Sequence, residues 1–396
     1  MIGDLHIHSR FSRACSKDLT FENLVKWAKI KGLNLLGTGD FTHPVWFQEI
    51  KDKLVEKNGF YYYEDFPFIL TSEISLVYTD KDKGRRVHLV YFAPSIEVVE
   101  KINAYFDKKG RRDYDGRPIF KISCEQFVKD MREISKEIEI IPAHIWTPWF
   151  GVFGSKGGYD SLYEAFGSQA EHINAIETGI SSDPEMNVKI PDLKNKSIVS
   201  FSDAHSFWPY RLGREATIFH KTDSYLEILR QIRENDFIAT IETDPAYGKY
   251  HYDGHRGCDF SCSPEKTDEL GGLCPKCGKP LIVGVDYRVE KLAKEEPGKS
   301  KKYYSLLPLH EIISLCFKVG MNSKTVWNIY NPLIESFENE FEVLLNVSKE
   351  DLIKNNVNEK LIDLILKNRQ GKIKVKPGYD GVYGKAILEE EQATLI

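Results

Sequence analysis

The stretch Gly3-Asp4-Leu5-His6-Ile7-His8-Ser9 (residues 3–9, GDLHIHS) decides the fold. It reads as a strand, and side chains two apart on a strand point the same way, so His6 and His8 share a face. Two imidazoles at that spacing can grip one metal ion. Residues 201–205 (FSDAH) repeat the geometry with the carboxylate of Asp203 and the imidazole of His205. Glu73 and His88 add further hard and borderline ligands, a set suited to Zn2+, Mn2+ or Fe2+. One His-x-His on a strand is often incidental. Five such signals, His6 with His8, Asp40 with His43, Glu73, His144, and Asp203 with His205, each at the end of an apolar run, are hard to obtain by accident.

Outward from this stretch, the chain to about residue 245 alternates β-rich runs with helical patterns, as a barrel or doubly wound α/β sheet requires. The expected strands are 3–7, 33–38, 68–77, 87–92, 138–142, 175–178, 197–201 and 216–219. Residues 20–31 begin with Thr20 and carry Leu24, Val25, Ala28 and Ile30 at helical spacing. The polar chemistry falls at strand ends, where barrels and open sheets gather their active sites. The 396 residues carry 54 Lys plus Arg against 59 Asp plus Glu, a net charge of −5, and 41% apolar residues. That composition supports a large buried core and excludes a disordered chain or a protein that coats nucleic acid by bulk charge. No apolar run reaches about 18 residues and the first residues lack the order of a signal peptide, so the expectation is a cytoplasmic protein with no membrane partner.

From Tyr247 the chain turns Gly-, Cys- and charge-rich. Cys258, Cys262, Cys274 and Cys277 form two thiol pairs with enough chain between them to fold back, and turn residues rather than core residues surround them. A structural Zn2+ on these four cysteines follows, with His251 and His255 close by as spare ligands or, more in keeping with a filled site, as contacts to a partner or solvent. The expected organisation is a catalytic barrel over 1–245, a zinc module over 246–290 and a helical domain with a basic tail over 291–396, entered through the linker-like stretch KLAKEEPGKSKK (291–302).

Three segments suit nucleic acid. Arg85 and Arg86 end one basic run and Lys108 to Arg117 form another, both in loops beside the barrel mouth, where they would guide a polyanion. Directly after His144 come Trp146, Trp149 and Phe150, then a glycine-rich stretch with Lys156, a loop that could wedge into a duplex or wall a pocket for an extruded base. The C-terminal tail carries Lys372, Lys374 and Lys376 with Tyr379, the composition that backbone contact and base stacking require. Before it, residues 337–366 resemble a degenerate helix-hairpin-helix whose turn, Asn355 to Asn358, lacks the usual glycines.

The ordered set GDLHIHS (3–9), GTGDFTH (37–43), TSEIS (71–75), VHLVYF (87–92), PAH (142–144) and FSDAH (201–205) closely resembles the motifs of the polymerase and histidinol phosphatase (PHP) phosphoesterases. The resemblance implies a distorted seven-stranded β/α barrel with up to three metals at its mouth. It implies a first metal on His6, His8, Glu73 and Asp203, and a second on Glu73, His88 and His144. A third would use His43 and His205. Where many members place a third-site ligand, this chain has Ala14, leaving Asp18 or Asp40 as substitutes or the site short of a ligand. Divalent ions (Zn2+, Mn2+, Mg2+ or Fe2+) so grouped would activate water and clamp phosphate oxygens. Glu73, Asp203 and His205 would carry the catalysis, with ligand and acid/base roles of the last two open.

The order of barrel, cysteine module and helical domain over nearly the whole chain is similar to the endonuclease Q family. That resemblance implies an endonuclease of DNA repair that nicks 5′ of deoxyuridine, deoxyinosine, deoxyxanthosine and abasic sites, leaving a 3′-hydroxyl and a 5′-phosphate. Its partners would be damaged double- or single-stranded DNA, with a sliding clamp or other repair proteins as further candidates. Two other readings are a small-molecule phosphatase of the histidinol phosphate type, which leaves the cysteine module and basic tail without purpose, and a nucleic-acid adaptor without chemistry, which conflicts with the ligand set.

Overall fold

Gly3 pairs with Leu35 and Asp4 with Leu36 in parallel register, which joins the strand Ile2–Asp4 to Leu35–Gly37. Leu36 and Gly37 in turn run parallel to Phe68 and Ile69 of the long strand Phe66–Asp80. That strand pairs antiparallel with Lys83–Ala93 along its length, and the latter with Glu139–Pro142. Ala175–Glu177 and Ser197–Val199 are parallel neighbours. The chain then returns to the beginning, for Ala204 makes a parallel bridge with Ile7 and its carbonyl accepts the His8 N–H at 3.0 Å. These seven strands close the distorted PHP-type barrel, and Ala216–Ile218 and Ala239–Glu242 extend its wall antiparallel beside the first strand. The expected strands all occur, most of them shorter than the apolar runs because the residues at their ends bend out to form the mouth.

The structure, a computed structural model, describes residues 1–294 and 297–388; residues 295–296 of the linker-like stretch and 389–396 beyond the basic tail lie outside the described residues. The helix Phe21–Lys31 starts where the Thr20 hydroxyl accepts the Asn23 N–H and stops at Gly32 in left-handed conformation, and it buries Leu24, Val25 and Ala28. Trp46, wholly buried on the helix Pro44–Lys53, donates its indole N–H to the Gly39 carbonyl at 2.9 Å and so anchors the loop 37–43 from below.

Beyond the barrel, Tyr303–Ser305 lies parallel to Ala239–Glu242 and continues the same sheet. The C-terminal helices are fastened to the barrel by a buried ion pair: Lys31 Nζ meets Glu340 Oε1 at 2.7 Å, and Tyr330 and the Leu309 amide also donate to that carboxylate. A buried pair of this kind is costly unless further hydrogen bonds satisfy the carboxylate, and three donors reach its two oxygens here. The basic tail is a hairpin of Lys374–Lys376 and Lys385–Ile387, seated by the Gly378 and Gly384 amides on the carbonyls of Ala246 and Tyr247. Among the described residues no helix is long and apolar enough to cross a membrane.

Candidate metal centre

The Ile7–Ala204 bridge lays His6-Ile7-His8 alongside Asp203-Ala204-His205, so two short motifs almost two hundred residues apart open onto one mouth. Glu73 enters from the middle of Phe66–Asp80, His88 from its hairpin partner and His144 from the turn after Glu139–Pro142. Asp40, His144 and Asp203 all have positive φ, which non-glycine residues rarely accept, and the three outliers cluster at this mouth. Gly39, with φ +62°, packs so closely that a Cβ there would lie 2.4 Å from the Ile7 carbonyl.

Glu73 is fully buried and its two oxygens face different partners. Oε2 lies 3.1 Å from His8 Nε2 and 3.5 Å from His6 Nε2, while Oε1 lies 2.7 Å from His88 Nδ1 and 3.3 Å from His144 Nε2. Asp203 Oδ1 completes the first side at 2.9 Å from His8 Nε2 and 3.6 Å from His6 Nε2. The ligand atoms of His6, His8, Glu73 and Asp203 lie within 4.8 Å of one another, as do those of Glu73, His88 and His144. His6 Nε2, His8 Nε2 and Asp203 Oδ1 are buried without a hydrogen bond of acceptable geometry. Orphaned buried donors and acceptors that converge in this way fit a pair of divalent ions bridged by one carboxylate.

Each first-group imidazole is held from behind. Glu177 Oε1 lies 2.8 Å from His6 Nδ1, and Glu177 Oε2 accepts the His144 N–H at 2.8 Å. Asp40 Oδ1 lies 2.9 Å from His8 Nδ1, while its Oδ2 accepts from the amide and hydroxyl of Ser9 and from the Ser12 hydroxyl. A carboxylate on the far nitrogen fixes the ring and raises its basicity towards a metal. Burial would depress both imidazoles, but Glu177, Glu73 and Asp203 around His6, and Asp40, Asp203 and Glu73 around His8, hold them well above the usual histidine range. Burial takes His88 down to about 4 against the pull of Glu73. Burial would raise Glu73, and His88, Arg117 and His6 outweigh it and keep the carboxylate well below its ordinary value.

Not every expected ligand joins the centre. Asp40 stands one step back, behind His8. Asp18 is exposed on the surface. His43 stacks on Phe11 at 4.2 Å with its Nε2 3.2 Å from the Asp113 carbonyl. His205 packs 4.6 Å from the His8 ring with Nδ1 2.8 Å from the Asp203 carbonyl oxygen. Among the described residues the barrel mouth assembles two ligand groups; His43 and His205, expected at a third, fall in neither, and His43 Nδ1 is buried without a hydrogen-bond partner. Glu177 and Arg117 were missed as parts of the centre. Glu177 carried a readable signal, an acid at the end of the run 175–178 like those before it; Arg117 was read only as part of the basic run 108–117 beside the mouth, not as a partner of Glu73.

In the cysteine module the structure corrects one ligand. His255, Cys258, Cys274 and Cys277 form the cluster, while Cys262 Sγ turns to the Thr267 hydroxyl at 3.3 Å. The reason is place in the hairpin: the turn Arg256–Cys258 brings Cys258 round to His255, near the turn in which the Cys277 and Gly278 amides bond the Cys274 carbonyl, whereas Cys262 lies at the far end, opposite Asp253. Burial opposes ionisation of Cys274, yet the Lys276 amide, the His255 ring and Cys277 bring it down to about 7, as a metal-binding thiol requires. Three thiols and an imidazole suit tetrahedral Zn2+.

The expected nucleic-acid residues divide. Trp146 is buried, its indole N–H on Asn187 Oδ1 at 2.9 Å, and belongs to the core. Tyr379 is also buried and gives its hydroxyl to Asp259, so its ring is not open for stacking. Phe150 is half-buried 4.3 Å from His88, and Trp149 half-buried 5.1 Å from Tyr250. Arg85 donates to the Gly158 carbonyl and lies over Tyr159 at 3.9 Å, holding the glycine loop, while Arg86, Lys156, Lys372, Lys374 and Lys376 are exposed.

A family model described as the MJ0043 C-terminal domain matches residues 308–372. The protein MJ0043 of Methanocaldococcus jannaschii is 35% identical over 256 residues, 62% of this chain, and the chain spans about a third of that relative, 32% of its length. The lesion-specific endonuclease PfuEndoQ from Pyrococcus furiosus is 31% identical, with a TM-score of 0.87, over 99% of this chain and 98% of its own. Endonuclease Q in complex with a 27-mer duplex substrate carrying an abasic lesion at the active site is 33% identical, with a TM-score of 0.87 and 98% of both chains covered. Since likeness of this degree runs through barrel, cysteine module and helical region together, the chain belongs to the endonuclease Q family.

Proposed function

We propose that this chain is a metal-dependent endonuclease of DNA repair that nicks the phosphodiester 5′ of deoxyuridine, deoxyinosine, deoxyxanthosine and abasic sites. The observation that carries the reading is Glu73, whose two oxygens each face a separate set of metal-ligating side chains. Ions of Zn2+, Mn2+, Mg2+ or Fe2+ on these two sets would lower the pKa of bound water and offset the charge that builds on a phosphate. The chain's own part is to hold that pair rigid, through Asp40 and Glu177, and to keep Glu73 and Asp203 ionised. Hydrolysis adds water across the P–O3′ bond: the water oxygen joins phosphorus and O3′ leaves with a proton, giving a 3′-hydroxyl and a 5′-phosphate. His205, beside Asp203 and 30% exposed at its side chain, would move that proton. A structural Zn2+ would occupy the His255 and cysteine cluster.

DNA as substrate is supported by the full-length likeness to an endonuclease Q that carries an abasic duplex. A cavity of about 440 Å3 adjoins the centre, lined by Asp203, His205, Arg211, Arg214 and Tyr383, with room and cations for one nucleotide beside the metals. Phe150, Trp149, Arg86 and Lys156 flank the mouth beside His88, and Lys372, Lys374 and Lys376 extend a basic edge.

The test is incubation of the purified protein and Mg2+ or Mn2+ with end-labelled duplexes carrying one deoxyuridine, deoxyinosine or abasic site, beside an undamaged duplex and an Asp203→Ala control. One nick immediately 5′ of each lesion, absent from the control lanes, is expected. Intact DNA in every lane with phosphate released from histidinol phosphate would overturn the reading.

A further inference from the structure

The loop 110–118 crosses the mouth of the barrel and brings in a cation. Arg117 Nη1 donates to Glu73 Oε2 at 2.9 Å, on the side of that carboxylate that faces His6, His8 and Asp203. The loop is pinned around it. The Gly116 amide donates to the Phe11 carbonyl at 3.1 Å, the Gly116 carbonyl accepts from Thr42, and the Pro118 carbonyl accepts from Ser75. Gly116 is required for this seat, because a Cβ there would lie 2.2 Å from Asp40 Oδ2. Asp115 accepts the Arg117 amide and pairs with Arg13. A guanidinium keeps its charge throughout the working pH range, so Arg117 brings a fixed cation to Glu73.

A counter-ion that served only to neutralise Glu73 would be enclosed with its donors satisfied. Arg117 instead keeps 22% of its side-chain exposure, and a guanidinium has five N–H donors of which Glu73 takes one. Its bond to Oε2 sets Arg117 on the same side of Glu73 as the His6 and His8 Nε2 atoms. The residues expected at a third metal, His43 and His205, join neither ligand group, so beyond the two groups the cation seen at the centre is Arg117.

We propose that the Arg117 guanidinium is the third cation of this centre, binding a non-bridging oxygen of the scissile phosphate in place of a third metal ion. The proposal rests on the reading of the barrel as a phosphodiesterase. A planar fork of donors suits phosphate better than a point charge, and it is already oriented before substrate arrives. Arg117 is thus a catalytic residue, whereas Asp115 and Gly116 position it.

The test compares the full-length protein with Arg117→Met and Arg117→Lys, all loaded with metal. Three readouts are taken: metal ions per chain, binding of inorganic phosphate by calorimetry, and single-turnover nicking of an abasic duplex. The wild type is expected to hold two ions beyond the one in the His255 and cysteine cluster, and Arg117→Met to hold the same number. Phosphate binding by Arg117→Met weakens about tenfold or more and nicking falls on the order of 10²–10³-fold. Arg117→Lys recovers part of both, since it restores charge without the fork. A third barrel ion in the wild type, loss of metal from Arg117→Met, or unchanged phosphate binding in that variant would each overturn the proposal. A wild type that nicks no duplex overturns the nuclease reading alone, because phosphate binding and metal content still decide the role of Arg117.

Discussion

Glu177 Oε1 lies 2.8 Å from His6 Nδ1, and the same carboxylate accepts the His144 amide at 2.8 Å, so one buried side chain orients residues of both ligand groups. Substitution Glu177→Gln removes the charge and turns an amide N–H towards the His144 N–H. Metal affinity of the barrel is expected to fall about 10–100-fold with the fold intact. Titration with Mn2+, followed by calorimetry beside a circular dichroism control, checks this; unchanged affinity would remove Glu177 from the centre.

Metal loading should release protons. The carboxylates around His6 and His8 hold both well above the usual histidine range, so near neutral pH each carries an extra proton that a metal must displace from Nε2. Affinity is therefore expected to drop as pH falls, about tenfold per pH unit for each proton displaced. Calorimetry at pH 7 in buffers of different ionisation heat gives the proton count, and a count of zero contradicts the electrostatics described.

The cysteine module offers a sharper discrimination. With His255, Cys258, Cys274 and Cys277 as ligands, Cys258→Ser should lose most of the bound Zn2+ and lower the melting temperature, because a structural zinc site contributes folding energy directly. Cys262→Ser should retain the metal, since Cys262 is paired with Thr267 instead. Equal zinc loss in the two variants would restore the four-cysteine site.

Glu242 gives a pH signature. Burial pushes its carboxyl up from 4.5 to about 8, against the hydroxyls of Thr240, Thr178 and Ser200 that bond it. A carboxyl raised in the folded state contributes stability that is complete below pH 4.5 and lost as pH rises through 8. Glu242→Gln keeps the shape without the charge, so its melting temperature relative to wild type should climb by roughly 2–4 °C or more between pH 5 and 9. A difference that stays flat across this range would show that the carboxyl does not titrate there.

Much of this protein was determined locally and so was legible in order along the chain. Alternation of apolar runs with helical spacing specified an α/β barrel or doubly wound sheet, because the period of side-chain burial is a property of each segment alone, and the ordered motifs' resemblance to PHP phosphoesterases chose the barrel. His6, His8, Glu73, His88, His144 and Asp203 could be named because ligand chemistry limits them to a few residue types at strand ends. Tertiary structure alone decided what depends on distance. Asp40 and Asp203 are both acids in turns after strands with positive φ, yet one faces the metal group and the other stands behind His8, a difference made by Ser9, Ser12 and Gly116 packing around Asp40. Trp146 and Trp149 lie three apart in one loop, and only the fold buries the first on Asn187 and leaves the second half-open. His255 clusters with Cys258, Cys274 and Cys277 while Cys262 lies by Thr267, a grouping set by the hairpin and its turns rather than by a count of cysteines. Arg117 was legible only as the last cation of a basic run beside the mouth; its contact with Glu73 depends on a loop far along the chain, seated on Phe11 and Asp40.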